Sequence, residues 1–283
     1  MLGLERAANI CSFLARRIGP ALGVTKIAQR NIKMTIGQEY TPQEMRVFID
    51  KLWDHFGRYI AEFVYIDQLS RQDINERIEV IGLEHVKEFQ EKKQPILLCV
   101  AHIGNWDFLT RNITEIYPNF SIVYRKANNP YVDQAIINTR VNDGVKLVAK
   151  GRSGAKDLIR AIKSGDSIAM LIDQKMNDGI EVPFLGRPAM TANAIAKLSM
   201  QFNMPIVPAQ IVRTKGSNFQ VIVHPAIDYK VSSDKEKDSY NIMLQINQII
   251  EGWIKENPEQ WFWFHNRWKN TPLPRTDIEK SEL

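Results

Sequence analysis

Apolar positions along the chain follow two patterns, and the change from one to the other comes near Glu76. Beyond that point, short β-type runs that are mostly apolar predict strands at 78–83, 96–101, 121–124, 145–149, 167–172, 206–212 and 219–223. Between them, apolar residues recur every three or four positions and predict helices at 84–91, 107–117, 131–142, 153–163 and 191–202, with a last helix at 239–256. A strand that is apolar on both sides has both sides covered, and intervening helices make its connections crossovers. The pattern therefore predicts an α/β fold, with a mainly parallel or mixed sheet of about seven strands flanked by helices.

Ahead of this region the periodicity is helical. Thr41-Pro42-Gln43-Glu44 supplies a cap, a proline at the first helical position and an acid in the first turn. Met45, Phe48, Ile49, Leu52, Trp53, Phe56, Ile60, Phe63 and Val64 then mark a long amphipathic helix, with His55 beside the stripe as a structural residue. Nearer the N-terminus, Leu4, Ala7, Ala8, Cys11, Leu14, Ala15 and Ile18 form a stripe that Gly19-Pro20 ends. Two readings of this stripe stand open: a helix lying on a membrane, or a helix packed on its own domain. Lys26, Arg30 and Lys33 add attraction to an anionic surface. Residues 1–70 thus read as an N-terminal helical, membrane-proximal segment and 71–283 as the α/β domain.

Composition mainly excludes. With 44% hydrophobic and 24% charged residues the chain is neither disordered nor of low complexity. Its cysteines, Cys11 and Cys99, are too far apart in sequence for a disulfide scaffold or zinc finger. No apolar run approaches the roughly 20 residues that cross a bilayer. The net charge of +5 is concentrated at 145–163, where Lys146, Lys150, Arg152, Lys156, Arg160 and Lys163 are opposed by Asp157 alone. Such a stretch suits a phosphate-bearing partner, or is a solvated helix face.

Chemistry centres on the exit of the strand at 96–101. Ligands of open α/β sheets bind beyond the carboxyl ends of the strands, and this strand runs directly into His102-Ile-Gly-Asn-Trp-Asp107. Residues five apart do not face each other on a helix. His102 and Asp107 meet only if the segment between them turns, which Gly104-Asn105 permits. The carboxylate would then hold one imidazole nitrogen protonated and leave the other to take a proton from a hydroxyl, a general-base dyad with no protein nucleophile. Rival chemistries lack their motifs. There is no Gly-x-Ser-x-Gly elbow, no Gly-x-Gly-x-x-Gly or Walker loop and no tight His/Cys cluster, and Cys99 sits within an apolar strand. His85 and His224 stand alone.

The block His102–Asp107 resembles the His-x4-Asp/Glu motif of the glycerolipid acyltransferase superfamily. More narrowly, the chain is similar to the late lipid A biosynthesis (lauroyl/myristoyl) acyltransferases. Val123-Tyr-Arg-Lys-Ala-Asn-Asn-Pro130, Ile172-Asp173-Gln174, Val182-Pro-Phe-Leu-Gly186, Met204-Pro-Ile-Val-Pro208 and Pro258-Glu-Gln-Trp-Phe-Trp-Phe-His-Asn-Arg-Trp-Lys269 match further blocks in the family's order. Asp107 stands where many relatives carry Glu, and Lys175 where some carry another acid.

The resemblance implies acyl transfer, without a cofactor or metal, from a thioester on acyl carrier protein to a hydroxyl of a phosphorylated glycolipid. The setting it implies is the cytoplasmic face of the inner membrane, on an anionic surface. His102 would be the base and Asp107 its orienting carboxylate. Arg125 would stabilise the oxyanion or bind a phosphate. Asp173, Asn105, Arg152, His265 and Arg267 would complete the substrate site, with Lys269 a further acceptor contact. Trp261, Phe262, Trp263, Phe264 and Trp268 would anchor in the interface, line an acyl pocket or pack in the core. Two alternatives remain beside this reading. One is the same chemistry on another glycolipid or a lysophospholipid. The other is a non-catalytic protein binding anionic lipid or nucleic acid, although no nucleic-acid recognition motif is present.

Overall fold

The computed structural model of the chain describes residues 3–117, 119–127, 129–141, 145–150 and 152–268. In chain order its helices are α1 (Leu4–Ile18), α2 (Gly23–Met34), α3 (Pro42–Tyr65), α4 (Arg71–Asn75), α5 (Glu84–Glu91), α6 (Trp106–Ile116), α7 (Pro130–Val141), α8 (Arg152–Lys163), α9 (Ala194–Phe202) and α10 (Lys235–Glu256). Its strands are β1 (Ile78–Ile81), β2 (Leu97–Val100), β3 (Phe120–Tyr124), β4 (Lys146–Ala149), β5 (Ser167–Leu171), β6 (Lys175–Phe184), β7 (Arg187–Thr191), β8 (Ile206–Lys215) and β9 (Asn218–Val223).

The seven strands expected from the apolar runs form one sheet in the order β1-β9-β8-β2-β5-β3-β4. All its pairings are parallel except β8 with β9. Strand β2 explains why the runs lack alternation. Leu97, Cys99 and Ala101 enter one core cluster, and Ile96, Leu98 and Val100 enter another on the opposite face of the sheet. The first cluster also takes Ala28, Ile32, Leu52 and Trp53 from α2 and α3, so these N-terminal helices share the core of the sheet.

Apolar patterning does not reveal the hairpin β6–β7. Its strands are only partly buried and begin on the polar stretch Lys175–Asp178. Its tight turn falls on Leu185 and Gly186, both at positive φ (48° and 72°), where Asn-Gly would be the readable signal. The hairpin also takes Thr191, so α9 starts at Ala194, later than the expected 191.

Helix α1 runs antiparallel to α3: Asn9 receives Arg58, Ser12 donates to Asp54, and Arg16 binds Asp50 through two nitrogens at 2.8 and 2.6 Å. Small residues bring the two helices close. A Cβ on Gly57 would stand 2.7 Å from the Cys11 carbonyl. Leu4 and Ala8 of the expected stripe are buried, but Leu14 and Ile18 are not. They join Ile10 and Phe13 in a second apolar line on the outer face of α1, 47–58% exposed. No helix among the described residues is long and apolar enough to cross a membrane.

Candidate active site

Strands β2 and β5 are parallel neighbours with Val100 opposite Leu171. Two residues beyond that register, where both strands end, His102 and Asp173 stand side by side. The His102 Nδ1–H donates to Asp173 Oδ1 at 2.7 Å, and the His102 backbone N–H donates to Oδ2 at 3.0 Å. The Trp261 indole N–H also donates to Oδ2, at 2.7 Å. Burial opposes charge on Asp173, but these three donors, the imidazole among them, hold its carboxyl below the usual carboxylate range. With Nδ1 committed as a donor, Nε2 is the acceptor nitrogen, and the Gln174 amide N–H donates to it at 3.4 Å.

This geometry revises the expected dyad. The carboxylate on the imidazole belongs to Asp173. Asp107 is buried in the first turn of α6 and accepts from the Tyr59 hydroxyl at 2.8 Å. The reactive loop does turn at Gly104, as expected. Its φ is +61°, and a Cβ there would stand 2.0 Å from the Ile211 carbonyl, so only glycine fits. Asn105 is fully buried. Its Oδ1 caps α6 by accepting from the N–H groups of Asp107 and Phe108, and its Nδ2 donates to Glu62. Both ends of its side chain are thus used inside the protein and not on a substrate.

The segment after α10 closes the other side. Ile103 pairs with Trp261 as an isolated antiparallel bridge, Phe262 N–H donates to the His102 carbonyl, and Gly104 N–H donates to the Gln260 carbonyl. Trp261, Trp263 and Trp268 are buried core residues, which removes them as interface anchors. Phe262 remains partly exposed and, with Trp106, walls the imidazole; ring centroids lie 6.3 and 5.0 Å from it. Tyr59 packs on Trp106 at a tilt, with ring centroids 4.4 Å apart, and Phe56 and Phe63 flank Tyr59, so α3 continues this aromatic wall away from His102.

The remaining expected contacts divide. The Arg267 side chain is buried, donates to Met190 O and Thr191 Oγ1, and lies over the Phe184 ring, which makes it a clamp on β7 in place of an acceptor contact. His265 is close enough to Asp173 to feel its charge. Burial lowers its pKa to about 4, and its neutral Nε2 accepts from the Lys175 backbone N–H. Arg125 is exposed at the end of β3 and acts electrostatically on His265 and on Lys150. Arg152 opens α8, but its side chain lies outside the described residues, as does the whole of Lys269. Along the basic stretch, Lys146 pairs with Asp166 and Arg160 with Asp157, while Lys156 and Lys163 are exposed. Burial, with the nearby Asp173 charge, raises the Cys99 thiol far above its ordinary pKa, leaving it inert.

A sequence model described as bacterial lipid A biosynthesis acyltransferase matches residues 1–270. The chain is 26% identical over 253 residues to the lipid A biosynthesis lauroyltransferase of Escherichia coli K12, covering 87% of this chain and 79% of that protein. It is 27% identical over 244 residues to a lipid A biosynthesis acyltransferase of Haemophilus influenzae, covering 83% and 73%. A phosphatidylinositol mannoside acyltransferase of Mycobacterium tuberculosis is 21% identical over 182 residues, covering 62% and 57%.

Proposed function

Because the chain belongs to the bacterial lipid A biosynthesis acyltransferases, we propose that it moves a fatty acyl chain from an acyl carrier protein thioester to a hydroxyl of a lipid A precursor, with His102 as general base. The observation that carries the mechanism is the 2.7 Å bond from His102 Nδ1 to the buried Asp173, which leaves Nε2 as the nitrogen that can accept a proton. The acceptor hydroxyl gives its proton to Nε2 as its oxygen bonds to the thioester carbonyl carbon. The tetrahedral adduct collapses with cleavage of the C–S bond, and the imidazolium returns the proton to the leaving thiolate. General-base assistance of this kind contributes about 100- to 10,000-fold. The aromatic wall of Trp106, Phe262, Phe56 and Tyr59 receives the apolar chain. Arg125, exposed beyond β3, binds an acceptor phosphate.

Mass spectrometry of lipid A from cells with and without this gene tests the reading. The expected result is lipid A one acyl chain lighter without the gene. Unchanged lipid A with a lighter mannosylated or glycerol-based lipid would move the same chemistry to another acceptor.

Attachment to the inner membrane surface, at its cytoplasmic face, is part of the same proposal. Ile10, Phe13, Leu14 and Ile18 offer apolar side chains to the acyl boundary, and Arg17, which lies over the Phe13 ring at 5.0 Å, adds charge beside them. On α3, exposed Ile60 and Val64 lie between the line meeting α1 and the line of Phe56 and Phe63, so this apolar surface adjoins the aromatic wall. Each basic side chain near an anionic bilayer adds about 1 kcal/mol. Purified protein is expected to float with anionic vesicles at low salt. Replacing Phe13, Leu14 and Ile18 together by Ser is expected to weaken flotation with little change in melting temperature or in activity on detergent-dispersed substrate. Flotation insensitive to both salt and these changes would place the contact elsewhere.

A further inference from the structure

Beneath the reactive loop lies a buried polar cluster that takes no part in the chemistry above. Glu62, on α3, is wholly buried and receives both terminal nitrogens of Arg213, from β8, together with Asn105 Nδ2 at 2.7 Å. Arg213 Nε donates to His55 Nδ1 at 3.3 Å. Because Arg213 only donates, His55 Nδ1 must be the acceptor, and the ring proton sits on Nε2, where it meets the Gly104 carbonyl at 3.1 Å. Burial and the Arg213 charge lower the His55 pKa to about 3, which keeps the ring neutral and this tautomer in place at working pH. The Gln260 side chain binds the Arg213 backbone on both its N–H (2.7 Å) and its carbonyl (3.0 Å), while the Gln260 carbonyl accepts from Gly104 N–H.

The cluster therefore grips the loop at consecutive residues. Gly104 is held through both its N–H and its carbonyl, and Asn105 is held through the amide that caps α6. A buried side-chain network satisfied at this many points fixes its members more tightly than separate bonds do. We propose that His55, Glu62 and Arg213 are positioning residues: they hold Gly104 and Asn105 so that the His102 imidazole stays on Asp173 with Nε2 aimed at the acceptor. They touch no substrate. The inference rests on His102 being the base.

The test uses the full-length protein with an acyl thioester of acyl carrier protein and a purified lipid A precursor. His55→Leu removes the donor to Gly104 and the acceptor for Arg213. It is expected to lower kcat about 10- to 100-fold, the scale of a misplaced reacting group, with KM unchanged. His55→Gln, whose amide donates and accepts, is expected to recover most of that loss. The low-field proton signal of the His102–Asp173 bond should broaden in His55→Leu and return in His55→Gln. Arg213→Lys, which keeps a charge opposite Glu62 but loses the Nε donor, gives a second reading if His55→Leu does not fold, and it too should lower kcat at constant KM. His102→Ala run alongside separates the two ideas. Full activity there overturns the base assignment itself. An inactive His102→Ala beside folded His55 and Arg213 variants of normal kcat and unchanged proton signal overturns the positioning role alone.

Discussion

Replacing His102 by Ala is expected to abolish acyl transfer while the circular dichroism spectrum and melting temperature stay near those of the parent. The imidazole is partly exposed at a strand end, and the backbone around it is held independently. His102 N–H is anchored on Asp173, and its carbonyl on Phe262 N–H. Loss of the ring removes the proton acceptor without opening the core. The expected fall is at least the roughly 100- to 10,000-fold that general-base assistance supplies, and it should appear in kcat, since a general base acts on the proton moved in the transition state. A folded His102→Ala protein with near-normal turnover would end the mechanism.

Asp173→Asn is expected to have the second-largest effect. The amide is nearly isosteric and its oxygen still accepts from the His102 and Trp261 N–H groups, so the fold is retained. Its NH₂ group then faces Nδ1 and favours the tautomer with the proton on Nε2, which is the nitrogen that must be empty. In a Ser-His-Asp triad the corresponding carboxylate-to-amide change costs about 10⁴-fold in kcat, and a loss of that order is expected here. Asp107→Asn serves as the comparison. Its oxygen still accepts from Tyr59, so the loss should be much smaller. A dead Asp107→Asn beside an active Asp173→Asn would reinstate Asp107 as the orienting carboxylate.

These two variants mark the limit of what is legible in the sequence. The position of His102 is readable because an all-apolar run ending in His-x-Gly-Asn places a titratable group at a strand exit whatever the rest of the fold does. The turn at Gly104 is readable for the same local reason. The roles of Asn105 and Arg267 are not, because a polar side chain in a matched block says nothing about which way it faces. Asn105 turns inward as a helix cap and Arg267 is a buried clamp on β7. Trp261 likewise belongs to a recognisable aromatic block, but its indole N–H on Asp173 depends on a segment arriving 88 residues later in the chain.

Periodicity by itself determines the α/β class, all seven strands of the main sheet and the long helix α3, because each is written in the spacing of apolar residues along one segment. The sequence also determines that His102 stands at a strand exit. Strand order is not written in any one segment. Only the folded sheet sets β2 beside β5 in the register that puts Val100 opposite Leu171, and from that register alone follows the meeting of His102 with Asp173. Only the crossing of α3 under the loop brings His55 and Glu62 to Gly104 and Asn105. Each local signal constrains a few neighbouring dihedrals, whereas the partner of an imidazole is fixed by which distant strand ends at the same edge of the sheet.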